Sequence, residues 1–172
     1  LRSCMQTLAL DGRMGASGDM LLAALLAAGA DRAALADVED TLDVRYEIGQ
    51  TVKTGIHATT VDVLLTAEDN TDTEHDGHDH SHDHGDGGHD HSHDHTHAEG
   101  HGPSRTYAEV VDIGESLGLP GPVESDALAI FEILGEAEAG DHGTDLDDTH
   151  FHEVGADDAI ADIVGVCLLL TD

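Results

Sequence analysis

The sequence predicts a single α/β (or α+β) domain, in which helices flank a small mixed β-sheet. Three observations predict this class. The chain of 172 residues is long enough to bury one core. Helix-like and strand-like apolar periods succeed each other along it, and one low-complexity tract interrupts them. We expect 1–67 to form the N-terminal half of the ordered domain, 68–103 a disordered His-rich metal-binding insertion, and 104–172 the remainder of the ordered domain.

The first elements are predicted from the apolar stretch that surrounds a glycine-rich segment. Thr7 to Leu10 is expected to be a short strand that leads into a tight turn. A helix should begin near Ser17 or Gly18 and end at Gly29, because a C-cap with positive φ favours glycine. This helix is apolar on nearly every face, which predicts that it is buried.

The middle of the ordered chain changes to a period of two. From Tyr46 to Thr66 apolar and polar residues alternate, and Gly55 marks a turn between two runs. Val61, Val63 and Leu65 therefore share one face. The pattern predicts a β-hairpin or two adjacent strands.

The second half of the domain is predicted to be mostly helical. Thr106 and Glu109 form a capping box at the start of one helix, and Pro122 suits the first residue of the next. The segment "DTHFHEV" is typical of a strand, and a final helix should open at Asp157 or Asp158.

The charge of the chain limits its partners and its surroundings. Thirty-seven acidic residues stand against six basic ones, for a net charge of −31, and the excess extends over the whole sequence. Repulsion among these charges destabilises the folded chain unless concentrated salt screens it, and the Debye length falls to about 3 Å at 1 M. Nucleic acid and anionic membranes are disfavoured because Lys and Arg are scarce. The apolar stretches are too short to span a bilayer, so we expect a cytoplasmic, halophilic protein.

The segment "LDGRMGASGD" is the first candidate for chemistry. Its glycines follow the pattern G-x-x-G-x-x-G between a predicted strand and a helix, where backbone amides can bind an anion. Asp11 and Asp19 could hold a divalent cation on bound phosphates. The alternative is an ordinary tight turn with helix-capping acids. The expected phosphate-binding positions are Gly12, Gly15, Ser17 and Gly18.

The segment "THFHEVGADDAIAD" is the second candidate. On a strand, His150 and His152 point to the same face and could both bind a transition metal, whereas Glu153 points the other way unless the strand ends there. Asp158 and Asp162 lie one turn apart on the following helix. Asp162 has apolar neighbours and should therefore have a partner. The alternative is a strand-edge His pair followed by acids that favour a helix N-terminus.

Further histidines supply other candidate metal ligands. His142 follows a predicted helix end, where it could bind a metal or simply satisfy backbone carbonyls. The His/Asp tract, residues 75–101, holds 11 histidines, mostly as H-x-H repeats. Repeats in a flexible loop do not fix geometry, so the tract favours metal storage, capture or delivery over catalysis. Its expected ligands are His78, His80, His82, His84, His89, His91, His93, His95 and His97.

Four sequence blocks together resemble one known family. The blocks "LDGRMGASGDMLLAALLAAGAD", "TGIHATTVDV", "AEAGDHG" and "THFHEVGADDAIADIVG" occur in an order similar to that of the N-terminal part of the LarC family. This family comprises the nickel-insertion proteins of nickel-pincer cofactor biosynthesis. With the acidic composition, the resemblance indicates a member from a halophilic archaeon. The first block departs from the family, which often has a "CFSGISGDM"-like version where this chain has "DGRMGASGDM".

The resemblance implies an activity that composition does not. Family members are nickel-inserting cyclometallases of the lyase or chelatase class. They insert Ni²⁺ into pyridinium-3,5-bisthiocarboxylic acid mononucleotide, consume CTP with Mn²⁺ or Mg²⁺, and supply lactate racemase-type enzymes. They normally continue into a C-terminal portion that this sequence lacks and that activity could require. The competing interpretation is a nickel storage protein or metallochaperone that acts through the His/Asp tract, and a weaker one is a nucleotide hydrolase.

The resemblance also suggests how roles are divided among the candidate residues. The phosphates of CTP or of the pincer precursor are expected on the glycine-rich turn. Nickel is expected at His150, His152 and His142. The expected catalytic residues are Asp11, Asp19, Glu153, Asp158 and Asp162.

Overall fold

The computed structural model describes residues 7–13, 15–66, 105–151 and 154–171. Five α-helices and four β-strands in these ranges confirm the predicted α/β (or α+β) class. The elements, in chain order, are α1 (Gly18–Ala28), a 3-10 helix (Arg32–Leu35), α2 (Ala36–Leu42), β1 (Val44–Lys53), β2 (Ile56–Leu65), β3 (Arg105–Thr106), α3 (Tyr107–Ser116), α4 (Gly121–His142), a second 3-10 helix (Leu146–Asp148), β4 (His150–Phe151) and α5 (Asp157–Thr171).

The strands form two antiparallel ladders. β1 and β2 make the predicted hairpin, whose register runs from Val44 opposite Leu65 to Lys53 opposite Ile56. Gly55, with φ of 81°, supplies the positive φ that its tight turn requires. β3 pairs with β4 in a second, two-residue ladder. Within the described ranges both ladders are antiparallel. The predicted mixture of parallel and antiparallel strands is therefore not found there.

The core is built around α5, which packs against α1, α2, α4 and the hairpin. Ile160, Ala161 and Val164 on α5 are fully buried, and so is Leu22 on α1. Removing a side chain of this size from water contributes about 2 kcal/mol.

Although α1 is apolar on most faces, it is buried on one face only, through Leu22, Ala23 and Leu25, whereas Met20 is 54% exposed. The prediction that α1 is buried therefore holds for that face and is wrong for the rest of the helix.

Tyr46 ties the hairpin to α5. Its hydroxyl donates a hydrogen bond of 2.6 Å to the carbonyl oxygen of Ala161. Burial raises the pKa of Tyr46, and the carboxylates of Asp162 and Glu39 raise it further. On the outer edge of β1, Glu39 accepts the Tyr46 amide at 2.9 Å, and Arg32 donates to the Tyr46 carbonyl at 3.3 Å.

The predicted ends of α1 and the predicted start of α3 are confirmed, and Asp31 supplies a further cap. α1 begins at Gly18, and its C-cap Gly29 has a φ of 110°. Asp31 caps the following 3-10 helix by accepting the amide of Ala33 at 2.9 Å. Thr106 and Glu109 form the predicted reciprocal capping box at the start of α3.

Two predictions are corrected. Thr7 to Leu10 does not form a strand, and Leu8 and Leu10 are 50% and 55% exposed. A strand needs a paired neighbour for its backbone, and the ladders of the described residues do not include this segment. Pro122 is the second residue of α4, which begins at Gly121. Within the described ranges, no helix is both long enough and apolar enough to cross a membrane.

Candidate functional site

Asp11 is paired with an arginine two residues further on. Nε of Arg13 donates to Oδ1 at 2.8 Å, and Nη2 donates to Oδ2 at 2.6 Å. The hydrogen bonds from Arg13 lower the pKa of Asp11, and the same pairing raises the pKa of Arg13. The pair lies on the surface, with the two side chains 61% and 87% exposed. A cation bound by Asp11 would therefore compete with a guanidinium that already contacts both carboxylate oxygens.

The predicted turn leads directly into α1. The amide of Gly15 donates to the carbonyl of Gly12 at 3.0 Å, and Gly15 has a φ of 89°, which glycine adopts at little cost. Ser17 is the N-cap residue of α1, but its side chain makes no capping bond to the helix amides. Its hydroxyl instead donates to the carboxylate of Asp19. The first amides of α1 are thus not capped by Ser17.

Gly18 at the start of α1 lies directly against Asp162 of α5. A Cβ placed on Gly18 would lie 2.6 Å from Cβ and 2.8 Å from Cγ of Asp162, closer than real Cβ atoms approach. The helix N-terminus carries partial positive charge and stabilises a carboxylate placed beside it. Glycine is therefore required here to admit the Asp162 side chain.

Asp158 lies one helical turn before Asp162, in the first turn of α5. Its Oδ1 is buried and has no hydrogen-bond partner within the described ranges. A buried carboxylate oxygen without a partner is costly, and such atoms are often satisfied by water or an ion. Oδ1 of Asp158 is therefore a candidate acceptor for a ligand or an ion.

Two candidate segments from opposite ends of the chain therefore meet where α1 begins. The packing of α1 on α5 brings them together. We name this region the helix-start site and define it by Ser17, Gly18, Asp19, Asp158 and Asp162. It combines the N-terminus of α1, which Ser17 does not cap, with carboxylates, so it can interact with an anion through a cation.

Within the described ranges, no observed contact connects His150 to the helix-start site. His150 is exposed on β4, opposite Thr106, which is the N-cap residue of α3. Hydrogen bonds from Thr106 lower the pKa of Glu109, and the charge of His150 lowers it further. His152 and Glu153 lie outside the described residues, so the predicted same-face pairing of the two histidines stays a prediction.

His142 occupies the last turn of α4. Its Nε2 is 3.5 Å from Oε1 of Glu138, one turn earlier. Across the described ranges, no three His, Cys, Asp or Glu side chains are grouped as metal ligands. The predicted ligands of the His/Asp tract lie outside these ranges: His78, His80, His82, His84, His89, His91, His93, His95 and His97.

Arg105 is a structural residue that sequence reasoning missed. Its guanidinium donates to the carbonyl of Gly155 at 2.6 Å and to Oδ1 of Asp157 at 2.7 Å. The Arg105 and Asp157 side chains are only 17% and 18% exposed. Arg105 lies on β3, which pairs with β4, so the contact joins this small ladder to the start of α5. The feature of the sequence that could have drawn attention to Arg105 is that it is one of only six basic residues.

The fold and its donor residues define an α/β domain whose candidate site is built from a helix N-terminus and carboxylates. The chain belongs to the nickel insertion protein family, whose family model matches residues 8–172. This is the family that the four sequence blocks resemble. No solved structure matches the chain significantly.

Curated relatives agree with the family assignment. A protein of Akkermansia muciniphila, named pyridinium-3,5-bisthiocarboxylic acid mononucleotide nickel insertion protein, is 38% identical over 170 residues, covering 96% of this chain and 36% of the relative. A candidate nickel insertion protein of Methanococcoides burtonii is 36% identical over 164 residues, covering 95% and 33%. One from Methanosarcina acetivorans is 37% identical over 163 residues, covering 94% and 33%. The chain spans about a third of the length of these relatives.

Proposed function

We propose that this chain is part of an enzyme that inserts nickel into pyridinium-3,5-bisthiocarboxylic acid mononucleotide. The observation that carries the proposal is the family match across residues 8–172, together with the named activity of the Akkermansia muciniphila relative. In finer detail, the enzyme is a cytoplasmic cyclometallase of the lyase or chelatase class. It consumes CTP with Mn²⁺ or Mg²⁺, requires a C-terminal portion, and supplies the nickel-pincer cofactor to lactate racemase-type enzymes.

In this proposal the helix-start site binds a phosphate-bearing substrate. The positive end of α1 after Ser17 attracts an anion, whereas Asp19 and Asp162 repel one. A divalent cation between phosphates and carboxylates removes that repulsion. The described residues offer no three-ligand site, so the cation is expected to arrive bound to the phosphates of CTP. The phosphate of the mononucleotide is the second anion that this position suits.

Nickel itself is a substrate of the proposed reaction. Imidazole and carboxylate are suitable transient ligands for Ni²⁺, and the proposal assigns this role to His150, His152 and His142, with Glu153 nearby. The pyridinium thiocarboxylates and ring carbon then replace protein ligands, and the ring proton is lost. The proposal assigns acceptance of this proton to a carboxylate of the helix-start site, where Asp158 has a buried Oδ1 without a hydrogen-bond partner within the described ranges.

The experiment measures nickel insertion by the complete protein carrying His150→Ala together with His152→Ala. We expect product formation to fall at least tenfold while the circular dichroism spectrum is unchanged. His57→Ala is the matched control, because His57 lies on the exposed hairpin and has no role in the proposal. Undiminished product from the folded double variant would remove these histidines from the mechanism.

The His/Asp tract is proposed to collect nickel for this reaction. Deleting residues 75–101 should leave insertion unchanged at saturating nickel and lower it when nickel is scarce. If the loss followed metal capacity at every nickel concentration, a nickel store or metallochaperone would describe the protein better. Absence of CTP turnover under all metal conditions would contradict the nucleotide-dependent part of the proposal.

A further inference from the structure

The outer half of the β1–β2 hairpin differs from the rest of the molecule in charge. Residues 48–61 are the longest run of the chain without Asp or Glu, and they include its only lysine, Lys53. Ile48, Val52 and Ile56 are 39%, 56% and 69% exposed. A chain of net charge −31 therefore presents exposed apolar side chains on an acid-free stretch of this hairpin, Ile48 and Val52 on one face and Ile56 on the other. Such surfaces are typical of contacts with another protein.

The edge of β1 is open over a defined length. The amide and carbonyl of Tyr46 bond Glu39 and Arg32, so they point away from β2. Because these directions alternate along an antiparallel strand, the backbone groups of Ile48, Gln50 and Val52 also point outward. Within the described ranges they have no backbone partner outside the hairpin.

Both ends of this open edge are fixed by the fold. The Glu39 and Arg32 side chains close it at Tyr46. At the other end, Thr54 has a φ of 50° and begins the turn, so strand geometry stops at Lys53. The open edge therefore covers residues 47–53, with Gln50 at its midpoint.

We propose that β1 pairs antiparallel with β1 of a second copy of this chain, on a two-fold axis at Gln50. The pairing joins two hairpins into a four-stranded sheet with about six new backbone hydrogen bonds. In this register Ile48 lies opposite the partner's Val52, which covers both exposed side chains. The proposal is independent of nickel insertion.

Charge complementarity favours a second copy of this chain as the partner of β1 and determines the register of the pairing. With Gln50 on the axis, Glu47 lies opposite the partner's Lys53, and the same ion pair repeats across the axis. A shift by two residues in one direction would instead place Lys53 opposite the partner's Arg45. Between Glu47, which also lies 3.6 Å from Arg45 of its own chain, and Lys53 the strand carries no charge, so two strongly acidic chains meet where their repulsion is small.

Disulfide trapping tests the axis directly. In the complete protein with Cys4→Ser, the variant Gln50→Cys places two thiols about 5.5 Å apart between α-carbons, within disulfide range. We expect a covalent dimer under mild oxidation. His57→Cys is the matched control, because it lies on the other strand of the hairpin. Dimers from His57→Cys, or none from Gln50→Cys, would overturn the proposal and indicate another occupant of this edge.

A charge exchange tests the register. In the Gln50→Cys background, Glu47→Lys and Lys53→Glu should each slow cross-linking about tenfold, since two attractive pairs become repulsive. The double variant restores two attractive pairs and should restore the rate. Val52→Gln, which removes the apolar contact, should slow cross-linking at any salt concentration. Failure of the double variant to recover would exclude the Gln50-centred register.

Discussion

The side chain of Asp162 occupies the space directly beside the α-carbon of Gly18, where any other residue would place its Cβ. This contact joins the glycine-rich segment at one end of the chain to the acidic helix at the other. It makes the carboxylate part of the helix-start site and requires glycine at the first position of α1. Packing and the proposed chemistry therefore depend on the same pair of residues.

Gly18→Ala is expected to destabilise the fold by about 1–3 kcal/mol, because the added methyl group would overlap Asp162 and force α1 and α5 apart. Urea unfolding at fixed salt measures the change. Gly12→Ala is the matched control and should stay within about 0.5 kcal/mol, since no atom lies within 4 Å of a Cβ at that position. Equal stability of the two variants would contradict the close packing.

Tyr46→Phe should lower the free energy of unfolding by about 1–2 kcal/mol, because it removes a buried 2.6 Å hydrogen bond to Ala161. The ordinary tyrosine pKa is 10.0, and the folded value is higher. The folded state thus retains the proton after the unfolded state has lost it, so Tyr46 stabilises fully below pH 10 and less above it. Unfolding measured between about pH 9 and pH 11 should show a smaller alkaline loss in the variant. An identical alkaline loss would contradict this assignment.

Arg105→Met is expected to cost about 1–3 kcal/mol, because it removes two hydrogen bonds and leaves the largely buried Asp157 without its cation. Thermal or urea unfolding measures the loss. Arg13→Met removes a comparable arginine–aspartate pair at the surface and should have no measurable effect on stability. A similar loss of stability in both variants would mean that burial does not determine how much each arginine–aspartate pair contributes to stability.

Added salt should stabilise the protein, because a net charge of −31 repels itself in the folded state and counter-ions screen that repulsion. We expect Tm to rise steadily from 0.1 to 1 M NaCl. Replacing two exposed acids of α4, with Glu132→Gln and Glu136→Gln, should make the rise smaller. A Tm that is independent of salt would contradict the expectation of a halophilic protein.

Sequence reasoning predicted best the features that depend on neighbouring residues. The capping box of Thr106 and Glu109, the C-cap at Gly29 and the hairpin turn at Gly55 follow from side-chain chemistry within a few residues. The strand proposed for Thr7 to Leu10 failed because a strand also needs a partner, which local sequence does not supply.

In the candidate site too, features that depend on neighbouring residues were predictable, and contacts between distant segments were not. Both of its segments were identified from composition and spacing, but their meeting at Gly18 and Asp162 depends on how α1 packs on α5. The pairing of Asp11 with Arg13 could have been expected from their separation of two residues. The contacts of Arg105 could not, because they cross from β3 to the segment before α5.

Arg105 and Thr66 give the fold one further property. Thr66 donates two hydrogen bonds to the carbonyl of Asp43 just after β2, and Arg105 clasps Gly155 and Asp157 at the start of β3. These hydrogen bonds hold the chain in place immediately before and immediately after residues 67–104. A change in the length or composition of that stretch would therefore leave both of these attachments to the folded body in place.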